Sequence, residues 1–467
     1  MNSLFREEKD SLGIIKVPSK AMWGAQTQRA LKNFDIGQES MPIKIIYALA
    51  KIKKAAALTN NRLGVLSDTK KELIVNASNE IIEGHHDDQF PLKIWQSGSG
   101  TQTNMNVNEV ISNLVSKAVG QPLGRYVPIH PNDDVNRSQS TNDVFPAAIK
   151  IATATEILEN LLPELDLLIE AFAQKSLEWI DIIKIGRTHL QEAVPLTLGQ
   201  EVSAWRDQIA TAKERIKVSL EELLLLPLGG TAVGTGLNTP NNFDKEITSE
   251  ISLLTKIDFK SAPNKFAIMA SHDDLVNTMT AIKLLSVCLF KVVNDIRILS
   301  CGPRSGFAEL RLPANEPGSS IMPGKINPTQ CEVMSMVCTQ VIALESAVTM
   351  AGSNGQLQMN AYKPLIGFNL LKSIELIKNA CKCCRTKMVN GIEANTSKIQ
   401  NDLNQSLMLV TALTPTIGYD KACEIAQYAY NKNISLKEAA LALKYIEEED
   451  FNKIINPIKM ANIKNES

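Results

Sequence analysis

The stretch Leu198–Leu223 reads LGQEVSAWRDQIATAKERIKVSLEEL. Its apolar residues Leu198, Val202, Trp205, Ile209, Ala212, Ile216, Leu220 and Leu223 recur every three or four positions. That spacing lines one face of an α-helix and persists for roughly seven turns. The same period runs before it through Ile151, Ala154, Leu158, Leu161, Leu165, Leu168 and Phe172. After it come Leu275, Met279, Ile282, Leu289, Val293 and Ile296, flanked by further apolar residues, which predicts a helix buried on several sides. Helices of this length exceed the usual ~11–12 residues. Several in succession, joined by short Gly/Pro-marked connections, predict an extended all-α bundle. No series of alternating strands competes with it. The long helices carry more apolar surface than one three-helix core needs, so a share of it is expected to face other subunits.

The flanks differ in texture. The first 145 residues are rich in loops, with Gly, Pro, Asn, Asp and Ser clustered at Gln96–Asn108 and His130–Asp143, around a helical stretch near Ile45–Glu83. From about residue 395 the helical patterns shorten, as in Tyr419–Tyr430 and Ser435–Tyr445, and predict a small helical cap. At roughly 150 residues per domain, 467 residues suggest about three domains.

Charge and composition exclude several functions. Lys plus Arg number 49 and Asp plus Glu 50, a formal net charge of −1, so no electrostatic case exists for nucleic acid or a membrane surface. Aromatics, at 5%, are too few for a base-stacking surface. The start carries Glu7, Glu8, Lys9 and Asp10 without a long apolar stretch, unlike a signal or transit peptide, which predicts a cytoplasmic protein. No unbroken apolar run of about 18 residues exists, so no transmembrane helix is expected. The eight cysteines all lie in the second half, between Cys288 and Cys423, and read as reduced thiols of a cytosolic chain.

Some motif matches fail on inspection. Gly98-Ser99-Gly100 has Thr103 where a dinucleotide fingerprint needs glycine, and Gly229–Gly234 is followed by Thr235-Gly236, not by the lysine of a phosphate loop. His85-His86 beside Asp87-Asp88 has no further histidine nearby, and Cys381, Cys383 and Cys384 have no second ligand pair. Both groups read as structural or surface features. No metal site is predicted.

Pro317-Gly318-Ser319-Ser320-Ile321-Met322-Pro323-Gly324-Lys325-Ile326-Asn327-Pro328 carries the most chemistry. It leads into a helix, with Asn327 suited to the N-cap, Pro328 to N1 and Gln330 to N3. A helix N-terminus beside serines and a lysine suits an anion, and the bracketing Pro and Gly suit a loop that closes over substrate. Gly186–Gln191, with Thr188 and His189, falls between two long helical patterns, at an expected bundle end. Ser99–Asn104 and Ser138–Asp143 add hydroxyl and amide donors suited to carboxylate oxygens.

At these residues the chain closely resembles the class II fumarases, within the fumarase/aspartase superfamily of helical lyases. The resemblance covers nearly the whole chain, from Glu8–Ser11 and Trp23–Arg29 through Trp95–Asn106, His130–Pro146, Lys184–Gln200 and Gly318–Glu332 to Asn404–Leu413. It implies an all-α, three-domain fold divided at 1–139, 140–394 and 395–467, whose central long helices form the core of a homotetramer. It implies active sites shared between subunits, a small dicarboxylate substrate (fumarate or L-malate), and no cofactor. Carried over by motif, Ser319 resembles the base that takes a proton from C3 of malate. His189, acting through water and oriented by Glu332, resembles the acid that releases hydroxide. Ser99, Gly100, Thr101, Ser140, Thr141, Asn142, Thr188, Ser320, Lys325 and Asn327 would bind the carboxylates. A second, shallower anion site maps onto His130, Pro131, Asn132 and Asp133, where a structural turn is an equal reading. Upstream of it, Pro122–Pro128 departs from the basic-rich stretch of bacterial members, with Arg125 its only charge. The alternative activity is aspartate ammonia-lyase, from which Thr329-Gln330-Cys331-Glu332 distinguishes the fumarase pattern. A helical structural protein that has lost catalysis is the alternative from another class, and the presence of Ser319, His189, Lys325, Asn327 and Glu332 argues against it.

Overall fold

A hairpin opens the computed structural model, which describes residues 4–462. The ends of the first and last expected segments, residues 1–3 and 463–467, lie outside the described residues. Strands β1 (Phe5–Asp10) and β2 (Gly13–Pro18) pair antiparallel, and alternation along β2 buries Ile15 and Val17 against Ala21 and Ala25. Then come α1 (Ala25–Asn33), α2 (Ile43–Arg62), α3 (Asp68–Ile82), α4 (Thr101–Ala118) and α5 (Thr141–Glu156). The helical stretch expected near Ile45–Glu83 is thus two helices. Gly64, at φ 77, turns the chain, and the Ser67 hydroxyl caps α3 by accepting from Lys70 N.

One π turn, Ile157–Leu161, carries α5 into α6 (Leu162–Glu178), so the run expected over 151–172 is one helical path with a bulge. Strands β3 (Ile183–Thr188) and β4 (Gln191–Thr197) lead to α7 (Leu198–Leu223), whose ends match the expected period. The long helices then continue through α8 (Phe243–Thr255), α9 (Lys265–Ala270), α10 (Asp273–Leu299), α11 (Thr329–Gly352) and α12 (Lys363–Lys387). Shorter helices follow, among them Tyr419–Lys432 and Leu436–Ala442, the latter started by a Ser435–Glu438 capping box. The fold is all-α, as expected, and its strands form two-stranded pairs.

The chain folds as two compact units. The first takes residues up to Pro163, with Lys213–Val287 and Cys338–Lys378. Here α2 packs on α3, α5 and α8, while α4 packs on α1, α3 and α5. Ile45, Ile46, Leu49 and Ile52 of α2 are fully buried, each contributing roughly 1.5–3 kcal/mol before chain entropy is charged. Helix α4 is buried from Thr103 to Ser116, polar residues included. Its Glu109 carboxylate accepts from Gly24 N, Gln26 N, Thr27 N and the Thr27 hydroxyl at 2.7–3.2 Å, fastening the N-terminus of α1.

The second unit takes Glu164–Ala212, Cys288–Val337 and the residues from Asn379 on. Phe172 meets Trp205 edge to face, and the Trp205 indole donates to Asp295 at 3.0 Å. Leu403, Leu413, Ile425, Ala439 and Phe451 form a core with Ile185 of β3.

Windows of α10 and α11 have mean hydropathies of 1.6 and 1.5, enough in length and composition to cross a membrane. A criterion of unbroken apolar runs misses them because isolated polar residues interrupt both. The α10 window is 50% buried, but that of α11 only 28%, leaving Val333, Met336 and Met350 exposed.

Candidate active site

Two helix starts build the donor cluster of the first unit. Ser97–Gly100 is a tight turn closed by Gly100 N donating to Ser97 O at 2.9 Å. Only glycine fits there at two positions. A Cβ on Gly98 would lie 1.5 Å from the Ala361 carbonyl oxygen, and Gly100 has φ 81 with the Phe145 ring 2.5 Å from where its Cβ would sit. The turn strings hydroxyls together at the start of α4: Ser97 to Ser99 at 3.0 Å and Ser99 to Thr101 at 2.8 Å. Ser140 begins α5 with a capping box, its hydroxyl accepting from Asn142 N while Asp143 accepts from Ser140 N at 2.9 Å. The other Asp143 oxygen accepts from Gly229 N and Thr231 N, both at 3.0 Å, and Asn142 donates to Ala232 O at 2.9 Å. The glycine-rich stretch discarded as a phosphate loop therefore clamps the start of α5.

Thr141 is joined to Ser99 and Thr101 through α4: Asn104 Nδ2 lies 3.0 Å from Thr141 Oγ1. Beneath them is a group that pattern reading missed. Lys53 of α2 is fully buried and donates to Asn136 and Gln139, with Asp143 acting on it electrostatically. Burial pulls the Lys53 amine down to about 7 and pushes the Asp143 carboxyl up to about 7, each opposed by the charge of the other. A lysine on the apolar face of a helix was the one available signal. Two helix N-termini lined with hydroxyl and amide donors make a setting for carboxylates.

The second unit holds the expected acid and base. Thr188 and His189 fall between two long helices, α6 and α7, as expected, and stand at the tip of the β3–β4 hairpin, where Thr188 pairs with Gln191. The two-residue turn puts His189 at φ 54 and Leu190 at φ 60, a left-handed pair that normally selects Asn-Gly. Non-glycine residues there are strained, and such strain gathers at functional sites. The hairpin is pinned by Glu309, which takes Lys184 at 2.7 Å and Arg187 at 3.1 Å. His189 itself is exposed.

Ser319 lies in the loop before α11. Its Oγ accepts from Ile321 N and Met322 N, both at 3.3 Å. Two backbone donors aimed at one hydroxyl oxygen would stabilise negative charge on it. The loop is drawn into a ring: Gly318, at φ 76, would place a Cβ 2.0 Å from the Lys325 carbonyl oxygen, and Thr329 donates to Glu316 at 2.9 Å. Lys325 and Ser320 are exposed, and Asn327 borders a small cleft with Pro313, Asn315 and Lys387. Helix α11 begins at Thr329, one residue later than expected. Pro328 O accepts from Glu332 N at 3.1 Å, so Pro328 takes the cap position given to Asn327. Glu332 lies 3.7 Å from Arg297, and no hydrogen bond joins it to His189 within the chain.

At the second expected site, Pro131–Val135 forms a single π turn capped by His130, whose Nδ1 accepts from Asn132 N at 3.3 Å and Asp133 N at 3.2 Å. Asp133 Oδ2 lies 3.3 Å from the same nitrogen. Among the described residues no cluster of three metal-ligating side chains occurs. His86 bonds Glu80 at 2.8 Å, and Cys381 and Cys384 are buried.

Residues 13–343 match the model of the lyase family, and residues 409–462 match that of the fumarase C C-terminus. The chain is 64% identical over 465 residues, covering 100% of both sequences, to a fumarate hydratase class II of Prochlorococcus marinus. The chain belongs to the class II fumarate hydratase family, a family of lyases. A member from Pseudomonas putida is 51% identical over 455 residues, 97% of this chain and 98% of the other. Among solved structures, a class II fumarase from Schistosoma mansoni superposes with a TM-score of 0.96 at 44% identity, covering 98% of this chain and 99% of that one. A fumarate lyase:delta crystallin from Brucella melitensis bound to cobalt gives 0.94 at 40% identity, covering 98% and 99%. Within the chain, the donor cluster lies in one unit, and the Ser319 loop and the His189 hairpin lie in the other.

Proposed function

We propose that the chain catalyses the reversible, stereospecific hydration of fumarate to L-malate in the cytoplasm, without a cofactor. Ser319 acts as the base. In the dehydration direction its alkoxide takes the C3 proton of malate, leaving a carbanion whose charge spreads into the adjacent carboxylate as an aci-carboxylate. His189 then delivers a proton through water, oriented by Glu332, as the C2 hydroxyl departs. Hydration runs the same steps backward. Lys325, Asn327, Ser320 and Thr188 neutralise the developing charge, and Ser99, Gly100, Thr101, Ser140, Thr141 and Asn142 hold the carboxylates.

The observation that carries this reading is the pair of backbone N–H groups on Ser319 Oγ. A serine is a poor base at its free pKa and needs such a field to ionise. The sparse burial of α11 supports a homotetramer with sites shared between subunits. Its central domain spans 140–394 between segments 1–139 and 395–467. Any anion at His130, Pro131, Asn132 and Asp133 would meet exposed Asn132 and Asp133 side chains, because the His130 Nδ1 is already occupied.

The test is the ultraviolet absorbance of fumarate formed from L-malate, with L-aspartate in parallel and chelator present. Malate turnover that survives chelator and vanishes in Ser319→Ala supports the proposal. Faster ammonia release from aspartate would replace it with an ammonia-lyase, and silence on both substrates would remove catalysis altogether.

A further inference from the structure

Lys53 is wholly buried, yet among the described residues no carboxylate bonds it directly. Its Nζ donates to Asn136 Oδ1 at 2.9 Å and to Gln139 Oε1 at 3.0 Å. Charged or neutral, the amine has hydrogens for both bonds, and each amide turns its oxygen toward it. That choice propagates. Asn136 Oδ1 is also approached by Asn104 at 3.2 Å and Asn108 at 3.4 Å, and an oxygen already accepting from Lys53 can receive only their NH2 groups. The same Asn104 Nδ2 lies 3.0 Å from Thr141 Oγ1. One of its hydrogens goes to Asn136 and the other to Thr141. The threonine oxygen therefore accepts, and its own hydrogen, which finds no acceptor among the described residues, is directed away from Asn104.

We propose that Lys53, acting through Asn136 and Asn104, is a positioning residue that fixes Thr141 as a hydrogen-bond donor to a substrate carboxylate. The inference rests on the dicarboxylate reading above and adds to it the residue that sets the polarity of the binding hydroxyl. A hydroxyl free to turn would offer its lone pairs to the carboxylate for part of the time. With Lys53 in place the donor orientation is the one that keeps the Asn104 amine on both Asn136 and Thr141, so no reorientation accompanies binding. The chain of contacts crosses α2, the turn after Val135, α4 and the start of α5, all inside the first unit.

The experiment is a double-mutant cycle in the full-length assembled protein. Succinate, an unreactive dicarboxylate, is titrated calorimetrically into wild type, Lys53→Met, Thr141→Val and the double variant, with kcat and KM for malate measured alongside. Thr141→Val is expected to weaken succinate roughly tenfold, as for loss of a hydrogen bond to a charged group. Lys53→Met is expected to cost roughly three- to tenfold, with KM rising more than kcat falls, and to add nothing in the Thr141→Val background. A purely structural lysine would instead weaken binding equally in both backgrounds. That result, or wild-type affinity in Lys53→Met, overturns the proposal. Should Lys53→Met fail to fold, Asn104→Ala carries the same cycle with the lysine in place. A wild-type chain that binds succinate but leaves malate unchanged would sink the functional reading alone, and the cycle would still judge the relay.

Discussion

At the scale of single residues, the protein places strong demands on groups that are weak in isolation. Ser319 has only a hydroxyl, but the N–H groups of Ile321 and Met322 converge on its oxygen. Replacing it with alanine is expected to lower kcat by at least ~10²-fold, with unchanged thermal unfolding because the loop is largely exposed. A variant that melts early, or keeps wild-type turnover, would contradict the assignment. His272 presents the opposite case. It is fully buried, and neither ring nitrogen has a hydrogen-bond partner. Burial, and then the nearby Lys363 and Lys150, hold its pKa well below the usual 6.5. The unfolded chain therefore takes up a proton below about 6.5 that the folded chain refuses, and stability falls as pH drops through that value. Melting temperatures between about pH 7 and 5 should fall less steeply for His272→Met than for wild type, and parallel slopes would refute this.

At the scale of elements, the β3–β4 hairpin trades stability for placement. Two consecutive left-handed residues, His189 and Leu190, hold the histidine at its tip. Leu190→Gly removes a side chain that disfavours that conformation, so a gain of about 1 kcal/mol is expected in denaturant unfolding, with activity retained. A loss of stability would mean that Leu190 packs in the assembly. The start of α5 shows how elements are tied across the sequence. Asp143 completes the capping box of its own helix and also accepts from Gly229 and Thr231. The capping box is visible in the run Ser140–Asp143, because N-cap and N3 lie three residues apart. The Gly229–Thr231 clamp is not, because its partners are 86 and 88 residues distant. The helix stripes in α7 and α10 are legible for the same reason: helical period is local. The short strands β3 and β4 were missed because tertiary contacts, Ile185 in the C-terminal core and Glu309 on Lys184 and Arg187, hold them.

At the scale of the whole molecule, the apolar α11 window is little buried within one chain. Met336→Glu is expected to split the assembly and abolish activity together, read by sedimentation and by malate turnover. The proposed sharing of sites between subunits makes a further demand. Co-expressing Ser319→Ala with Asn142→Ala should restore a fraction of the activity that neither variant has alone, since sites shared as proposed would be intact in part of the mixed assemblies. If mixing restores nothing, each site draws both groups from one chain.

Periodicity and motif spacing alone determined that this chain is a long-helix all-α protein with hydroxyl-rich helix starts and a Ser319 loop ahead of α11. Those features depend on neighbours within a few turns. Only tertiary structure decided that His189 stands on a strained hairpin, that Pro328 and not Asn327 takes the cap of α11, and that His130 spends its Nδ1 on its own turn. It alone joined Lys53 to Asn136, 83 residues away, and through Asn104 to Thr141. Buried polar groups must find partners wherever packing brings them, and packing joins residues by distance in space, which linear spacing does not encode.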